Sequence, residues 1–401
     1  MRKNEYWTGF ITGALFAAAA ALVVVILIHI LDARRGYVMS DPEHEARLES
    51  LEDLIDLYYL NETDDEELAN GVYKGLIEGL GDRYSCYYTA EEYAGQAENN
   101  EGTYEGIGVL ITDLPDGTIL IEECYEGSPG SAVGLRKNDI ITMVDGESVK
   151  EMSLTDVVDR IQSTDSGSVT VAILRETEDG GSEELEITVP VAHVELPSVF
   201  SEMMEDKTGY ILISEFKSVT VHQFSDAYDS LSAEGMEKLI IDLRGNPGGY
   251  LDVVCDILRR ILPKGLIVYT EDKNGVREEE YSEGESPIQI PLAVLVDEKS
   301  ASASEIFAGA VKDYKIGTIV GMTTYGKGIV QSIRVYQDGS AVKLTTSHYY
   351  TPAGHDIHEV GITPDVEVAM DKDVLLSEGD IQLQKAVEIL SSSANQKEKT
   401  G

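Results

Sequence analysis

Basic residues are scarce in this chain of 401 residues, where 31 Lys and Arg stand against 73 Asp and Glu and leave a formal net charge of −42. Phosphate backbones are bound by clustered Lys and Arg, so nucleic acid is excluded as a partner. The acidic balance implies a well-solvated surface and carries no information on fold. Cysteine is scarce as well. Cys86, Cys124 and Cys255 are scattered and odd in number, which leaves no disulfide framework and no paired zinc spacing. Of the seven histidines only His355 and His358 are close together, with Asp356 between them. No third neutral ligand stands at helical spacing, so neither a metal nor any other cofactor is expected. A Gly-x-Ser-x-Gly elbow and a His-Glu-x-x-His motif are also missing.

One segment is apolar throughout. Trp7 to Leu31 carries no Asp, Glu, Lys or Arg, and as a helix it exceeds the ~30 Å hydrocarbon core of a bilayer. The expectation is a single-pass membrane anchor at 7–31, with 1–6 in the cytoplasm and the rest of the chain outside it. A cleaved signal peptide is the alternative, but no clean small-x-small site follows the run. Arg2 and Lys3 precede the segment and Asp32, Arg34 and Arg35 follow it, so charge alone barely orients it.

From Asp41 the pattern turns helical. Leu48, Leu51, Leu54, Ile55 and Tyr58 share one stripe, and Leu68, Val72, Leu76 and Leu80 share a second, with a break at 61–67. Region 41–101 therefore reads as a helical hairpin whose stripe either packs on the core or makes a homodimer contact. Gly79 to Tyr88 reads as a loop rich in tyrosine.

Residues 102–193 form a unit of short strands (Tyr104–Thr112, Thr118–Cys124, Asp139–Val144, Ser168–Leu174, Leu185–Val191) separated by Pro115-Asp116-Gly117, Asp145-Gly146 and Asp179-Gly180-Gly181. Helical pieces fall at Ser128–Gly134 and Leu154–Ile161. The unit has no acid-base cluster, which favours binding over chemistry.

From 194 to 391 strands and helices alternate, the pattern of an α/β layered domain, and 392–401 is a polar tail expected to be disordered.

Three stretches of this α/β region carry possible chemistry. In Asp297-Glu298-Lys299-Ser300-Ala301-Ser302-Ala303-Ser304-Glu305-Ile306 an apolar strand turns into a helix, so a small hydroxyl and backbone N–H groups meet at a helix start. The stretch reads as a capped helix, with Ser-x-x-Glu as a capping box, or as the seat of a nucleophile. In Thr324-Tyr325-Gly326-Lys327-Gly328-Ile329-Val330-Gln331, a lysine between glycines can be held close to other backbone and desolvated. Position 328 is glycine where a phosphate loop needs Ser or Thr, and a strand-like segment follows, so nucleotide binding is not indicated. Burial lowers a lysine pKa and makes the amine a usable general base for a serine. Gln331 can orient that amine if 327–331 form a helical turn. In Ile241-Asp242-Leu243-Arg244-Gly245-Asn246-Pro247-Gly248-Gly249-Tyr250 the glycines expose N–H groups at a helix start, suited to an oxyanion hole or to a plain tight turn.

The order of elements in 102–193 resembles a PDZ domain. Tyr104-Glu105-Gly106-Ile107-Gly108 is similar to its carboxylate-binding loop, and Ser128-Pro129, Gly134-Leu135 and Asn138-Asp139-Ile140-Ile141 are similar to its middle section. A β-bulge or turn is the alternative for Gly106 and Gly108. With the three stretches above, then Tyr349-Tyr350-Thr351-Pro352-Ala353-Gly354 and Gly361-Ile362-Thr363-Pro364-Asp365, the chain resembles the carboxyl-terminal processing peptidases, the Ser-Lys serine endopeptidases of family S41 with an inserted PDZ domain. The resemblance implies an α/β core of crotonase/Clp-like layering. It implies Ser302 as nucleophile, Lys327 as base and Gln331 as its support. The oxyanion hole would be the N–H of Ala303 with that of Gly248, less firmly Gly249. Tyr104, Gly106, Ile107 and Gly108 would hold a peptide C-terminus, added as a strand. The substrates implied are proteins or peptides bound by their C-termini. Two positions depart from the family pattern: Gln162 stands where an arginine is thought to couple the PDZ domain to the active site, and His355 stands in place of another arginine. A PDZ scaffold without catalysis is the alternative function, and a Ser-His-Asp hydrolase using His355 or His358 is a weaker one.

Overall fold

The computed structural model describes residues 41–163, 166–177, 179–370, 375–377 and 379–398. The expected membrane span at 7–31 lies outside the described residues, among which no helix is long and apolar enough to cross a membrane. The chain divides at Val72 into two compact units. Helix α1 (Pro42–Tyr58) begins at Asp41, whose carboxylate accepts the Glu43 N–H, with Pro42 at the first helical position. Helix α2 (Asp65–Glu78) follows the expected break, and neither helix has a buried side chain.

The second unit begins inside α2, at Tyr73, and continues with strand β1 (Cys86–Tyr88), where the sequence suggests only a loop, and helix α3 (Ala90–Glu101), which carries a full capping box between Thr89 and Glu92. The expected strand from Tyr104 to Thr112 is two strands. Strand β2 (Thr103–Gly106) breaks at Gly108, whose φ is +78°, before β3 (Val109–Asp113). Then follow β4 (Ile119–Cys124), α4 (Pro129–Ala132), β5 (Ile140–Val144), β6 (Glu147–Ser148), α5 (Leu154–Gln162), β7 (Ser168–Glu176), β8 (Ser182–Pro190) and β9 (Ala192–Glu195). Strands β3-β4-β5-β7-β8 form an antiparallel sheet with β6 on β5. It encloses its own core of Ile107, Ile121, Val144, Val157, Ile161, Val171 and Ile173. Among the described residues strands β2 and β9 pair only with each other, Thr103 opposite Glu195, and so join the two ends of the inserted domain. A buried Asp139 carboxylate braces the domain, taking both arms of the Arg175 fork at 2.6 and 2.7 Å.

The remaining elements are β10 (Val199–Met203), β11 (Thr208–Ile213), α6 (Thr220–Ala233), β12 (Lys238–Asp242), α7 (Leu251–Ile261), β13 (Gly265–Asp272), β14 (Arg277–Ser282), β15 (Leu292–Val296), α8 (Ala303–Tyr314), β16 (Thr318–Gly321), β17 (Ile329–Val335), β18 (Ala341–Tyr350), β19 (Val366–Glu367) and α9 (Ile381–Glu398). One sheet runs β10-β11-β12-β15-β16-β19 and is parallel except for β10. Its centre is buried on both faces: Leu292, Val294 and Val296 pack with α7 and α8, while Ala293 and Leu295 pack with Ala386 and Leu390 of α9. The period-2 alternation of strand side chains makes both layers from one apolar run. The segment Leu266–Thr270, read as part of this layered run, instead belongs to a second, antiparallel sheet, β1-β18-β13-β14 with β17 on β18. Helix α9 runs to Glu398, through the start of the polar tail at 392–401, and residues 399–401 lie outside the described residues.

Candidate active site

The strand β15 ends at Val296 and the chain turns through 297–302 into α8. Asp297 builds the turn, its Oδ1 accepting the N–H groups of Lys299, Ser300 and Gly245 at 2.9–3.0 Å. The three serines then part company. Ser300 and Ser304 are fully buried, and their hydroxyls donate to the carbonyls of Leu243 and Asn246 at 2.8 and 3.1 Å. Ser302 is half-buried and lines a cleft of about 530 Å³. It sits at φ 55°, ψ −114°, outside the regions a non-glycine residue adopts freely. Such backbone costs about 1–3 kcal/mol and persists only where its surroundings over-determine it.

Here they do. Glu305, at 0 % exposure, accepts four hydrogen bonds: Oε2 from the N–H groups of Ser302 (2.9 Å) and Lys327 (2.8 Å), Oε1 from the Thr324 hydroxyl (2.6 Å) and the Gly326 N–H (2.7 Å). From the other side the buried Tyr349 hydroxyl reaches the carbonyls of Ser302 (3.1 Å) and Lys327. Burial holds the Tyr349 phenol well above the usual tyrosine range, so it remains a donor. The main chains of Ser302 and Lys327 are therefore bridged twice, by one carboxylate and one phenol. Two glycines permit this approach. Gly326 has φ +86°, and a Cβ at Gly328 would lie 2.3 Å from the His358 nitrogen.

Lys327 lines the same cleft, with its Nζ 5.0 Å from the centre of the Tyr84 ring. Burial pushes its ammonium below the ordinary lysine range, the positive charges of Lys343 and Arg83 act in the same direction, and Glu305 opposes them. Lys343 also lines the cleft and donates to the Tyr88 hydroxyl at 2.8 Å. Gln331 is in the cleft too, but the helical turn that would bring it over Lys327 is not formed. Residues 329–335 are strand β17, and the Gln331 amide points toward Ile329 O and Thr345 Oγ1, at 3.4 and 3.5 Å.

Gly248 lies against Ser302: a Cβ there would be 2.7 Å from Ser302 Cβ and 3.1 Å from the Ala303 nitrogen. Its N–H, however, donates to Asn246 Oδ1 at 2.8 Å, so the donor expected from Gly248 is already engaged. Among the described residues the N–H groups of Ala303 and Gly249 donate to no acceptor. Both residues line the cleft, at the starts of α8 and α7.

His355 and His358 do not line the cleft. His355 faces Asp313 at 3.5 Å and His358 packs edge-on against His348. In the inserted domain Tyr104, Gly106 and Ile107 line a narrow apolar groove with Val109, Ile111, Val158, Ile161 and Gln162, and Gly108 abuts Ser128 beside it.

The family model of peptidase family S41 matches residues 207–368, and a PDZ domain model matches residues 120–175. The carboxy-terminal processing protease CtpA of Bacillus subtilis is 36% identical over 313 residues, which is 78% of this chain and 66% of that protein. A CtpA-like serine protease of Staphylococcus aureus strain N315 is 32% identical over 352 residues, 87% of this chain and 70% of that protein. The chain belongs to peptidase family S41. A Bacteroides fragilis S41 protease structure matches with a TM-score of 0.51 over 84% of this chain and 93% of that one, at 17% identity, which shows a likeness of fold. The S41 core and the PDZ domain expected from the motifs are thus both present.

Several residues around this cleft were not singled out from the sequence. Glu305 was visible as the last residue of Ser-x-x-Glu, and its capping arm to the Ser302 N–H does form, but nothing local shows that the same carboxylate holds Lys327. Tyr349 and Thr324 stood within quoted motifs without a role. Tyr84 and Lys343 had no sequence signal.

Proposed function

We propose that this S41 peptidase is a membrane-anchored serine endopeptidase that captures C-terminal tails of protein substrates in its PDZ domain, 102–193, and cleaves them in its core, 194–391, outside the cytoplasm. Ser302 attacks the scissile carbonyl while neutral Lys327 takes its proton. The oxyanion is held by the Ala303 N–H and by Gly249, or by Gly248 once Asn246 releases it, at about 3 kcal/mol of transition-state stabilisation per donor. Lys327 then protonates the leaving amine, and water, activated by the same amine, hydrolyses the acyl-enzyme. Gln331, on the neighbouring strand, is the residue assigned to steady the neutral amine. The anchor is segment 7–31, and the helical region 41–101 offers a homodimer contact.

The observation that supports this reading is the double bridge: Glu305 and Tyr349 tie the backbones of Ser302 and Lys327 together at one cleft. A domain that only bound tails would have no need of it.

The test uses the full-length protein on an unfolded protein with an apolar C-terminus. Wild type is expected to cleave it, and Ser302→Ala and Lys327→Ala to be inactive while melting as wild type does. Cleavage that survives either change excludes the dyad, and a wild type that binds the tail without cleaving it under any condition favours the scaffold. Accessibility of the core to added protease in intact cells checks the topology.

A further inference from the structure

The cleft holds a second lysine whose charge has no partner within the chain. Lys343 is half-buried on β18 and donates to the Tyr88 hydroxyl at 2.8 Å, and among the described residues no carboxylate pairs with it. Its neighbours in register are Ile333 on β17 and Cys86 on β1, a hydrocarbon and a thiol. The remaining charges of the cleft, Lys327 aside, are balanced. Lys217 faces Glu215 at 3.4 Å, Glu280 pairs with Arg259, and Asp252 stands in the first turn of α7, where the helix N-terminus offsets it. Desolvating an ammonium costs free energy that a counter-charge returns. In a chain with 73 Asp and Glu, a half-buried lysine left without one is set to meet an anion from outside the chain. It also stays charged: burial opposes the ammonium, but the bond to Tyr88 outweighs that and holds it above the ordinary lysine range.

We propose that Lys343 and Tyr88 form a subsite for a substrate carboxylate, so that the peptidase prefers an acidic residue near the bond it cuts. The inference rests on the peptidase reading of Ser302 and Lys327. The Tyr88 oxygen accepts from Lys343 and keeps its own O–H to donate, so ammonium and phenol each offer the carboxylate a hydrogen bond. Tyr349, whose hydroxyl reaches the Ser302 carbonyl, is six residues from Lys343 on β18, and both side chains face the cleft. That spacing is roughly 20 Å of strand, so the carboxylate falls within about six residues of the scissile bond in an extended substrate. An internal side chain is the expected source, since the chain terminus goes to the PDZ groove.

The experiment uses the full-length protein and an unfolded protein with an apolar C-terminus whose cut site has been mapped by mass spectrometry. Aspartate, and in a parallel set asparagine, is placed at each position up to about six residues on either side of that bond. With wild type, kcat/KM at one such position is expected to favour aspartate by ~10-fold; Lys343→Met loses that ratio and Lys343→Arg keeps it. The ratio within one protein cancels whatever Lys343 does to Lys327, which acts on both substrates alike. Tyr88→Phe removes the second donor without touching the charge and is expected to lower the ratio ~3-fold, which serves as the test should Lys343→Met not fold. Substrates with a free or an amidated C-terminus separate the sources: a Lys343-dependent preference for the free terminus alone assigns the subsite to the terminal carboxylate. Ratios equal in wild type and Lys343→Met at every position, and for both termini, overturn the subsite and leave the peptidase reading standing. No cleavage by wild type, or cleavage that survives Ser302→Ala, overturns the peptidase reading and the subsite with it.

Discussion

Replacing Glu305 by glutamine keeps shape and volume and changes one oxygen to an NH₂. All four partners of Glu305 are donors, two on each oxygen. A glutamine therefore satisfies one pair and points two N–H bonds at the other. Either the Ser302 and Lys327 N–H groups or the Thr324 hydroxyl and Gly326 N–H lose their acceptor, in a site with 0 % exposure. Hydrogen bonds to a charged group contribute roughly 1.5–3 kcal/mol each, and breaking a buried charged set typically costs 3–5 kcal/mol. For a domain of this size about 2–4 °C accompanies each kcal/mol, so the core of Glu305→Gln should melt roughly 6–20 °C lower. Activity should fall by about 100-fold even where the fold survives, because a displacement on the order of 1 Å between reacting groups has that effect. Calorimetry and kcat/KM on the same tailed substrate measure both. A variant that melts within ~2 °C of wild type, less than about one kcal/mol, would refute the four-bond clamp.

Two further outcomes are expected. Lys343→Met removes a positive neighbour of Lys327, so the protonated amine becomes easier to keep and the rising limb of kcat/KM moves to higher pH; a limb that stays in place or moves lower contradicts the electrostatic role. Gly248→Ala places a Cβ 2.7 Å from Ser302 Cβ at φ +110°, and kcat should drop by about 10²–10³ with circular dichroism unchanged; kinetics near wild type would show that the close approach is not needed.

How far the sequence could be read depended on whether the cause was local. The buried strand β15, the glycines flanking Lys327 and the turn at Asp297 follow from short-range chemistry and were legible. The residues alone left the three serines of the run undistinguished. The structure separates them by hydrogen bonding: Ser300 and Ser304 are held by distant carbonyls, Leu243 and Asn246, and only Ser302 faces the cleft. Other features depend on partners far along the chain. Strand β1 has too few residues for a periodic signal and exists because β18 is beside it. The helical turn that Gln331 would need to reach over Lys327 is precluded by pairing of β17 with β18, which fixes an extended backbone from Ile329 onward. The N–H of Gly248 was expected to be open, but the buried Asn246 side chain, two residues earlier, closes on it.

The pairing of β1 with β18 has a consequence for how the protein is made. Tyr88 and Lys343 are 255 residues apart, and Ser85 and Thr345 are 260 apart, yet each pair is hydrogen-bonded. A ribosome releases the early partner long before the late one exists. The tyrosines of residues 84–88, one of whose rings faces Lys327, wait without their sheet until the chain has been made past Tyr350. Contacts of such long range form slowly and late. The cleft around the candidate base is therefore among the last parts of the molecule to close, and a nascent or truncated chain carries Ser302 in an unfinished pocket. Biosynthesis itself delays the appearance of a working protease until the whole molecule is present.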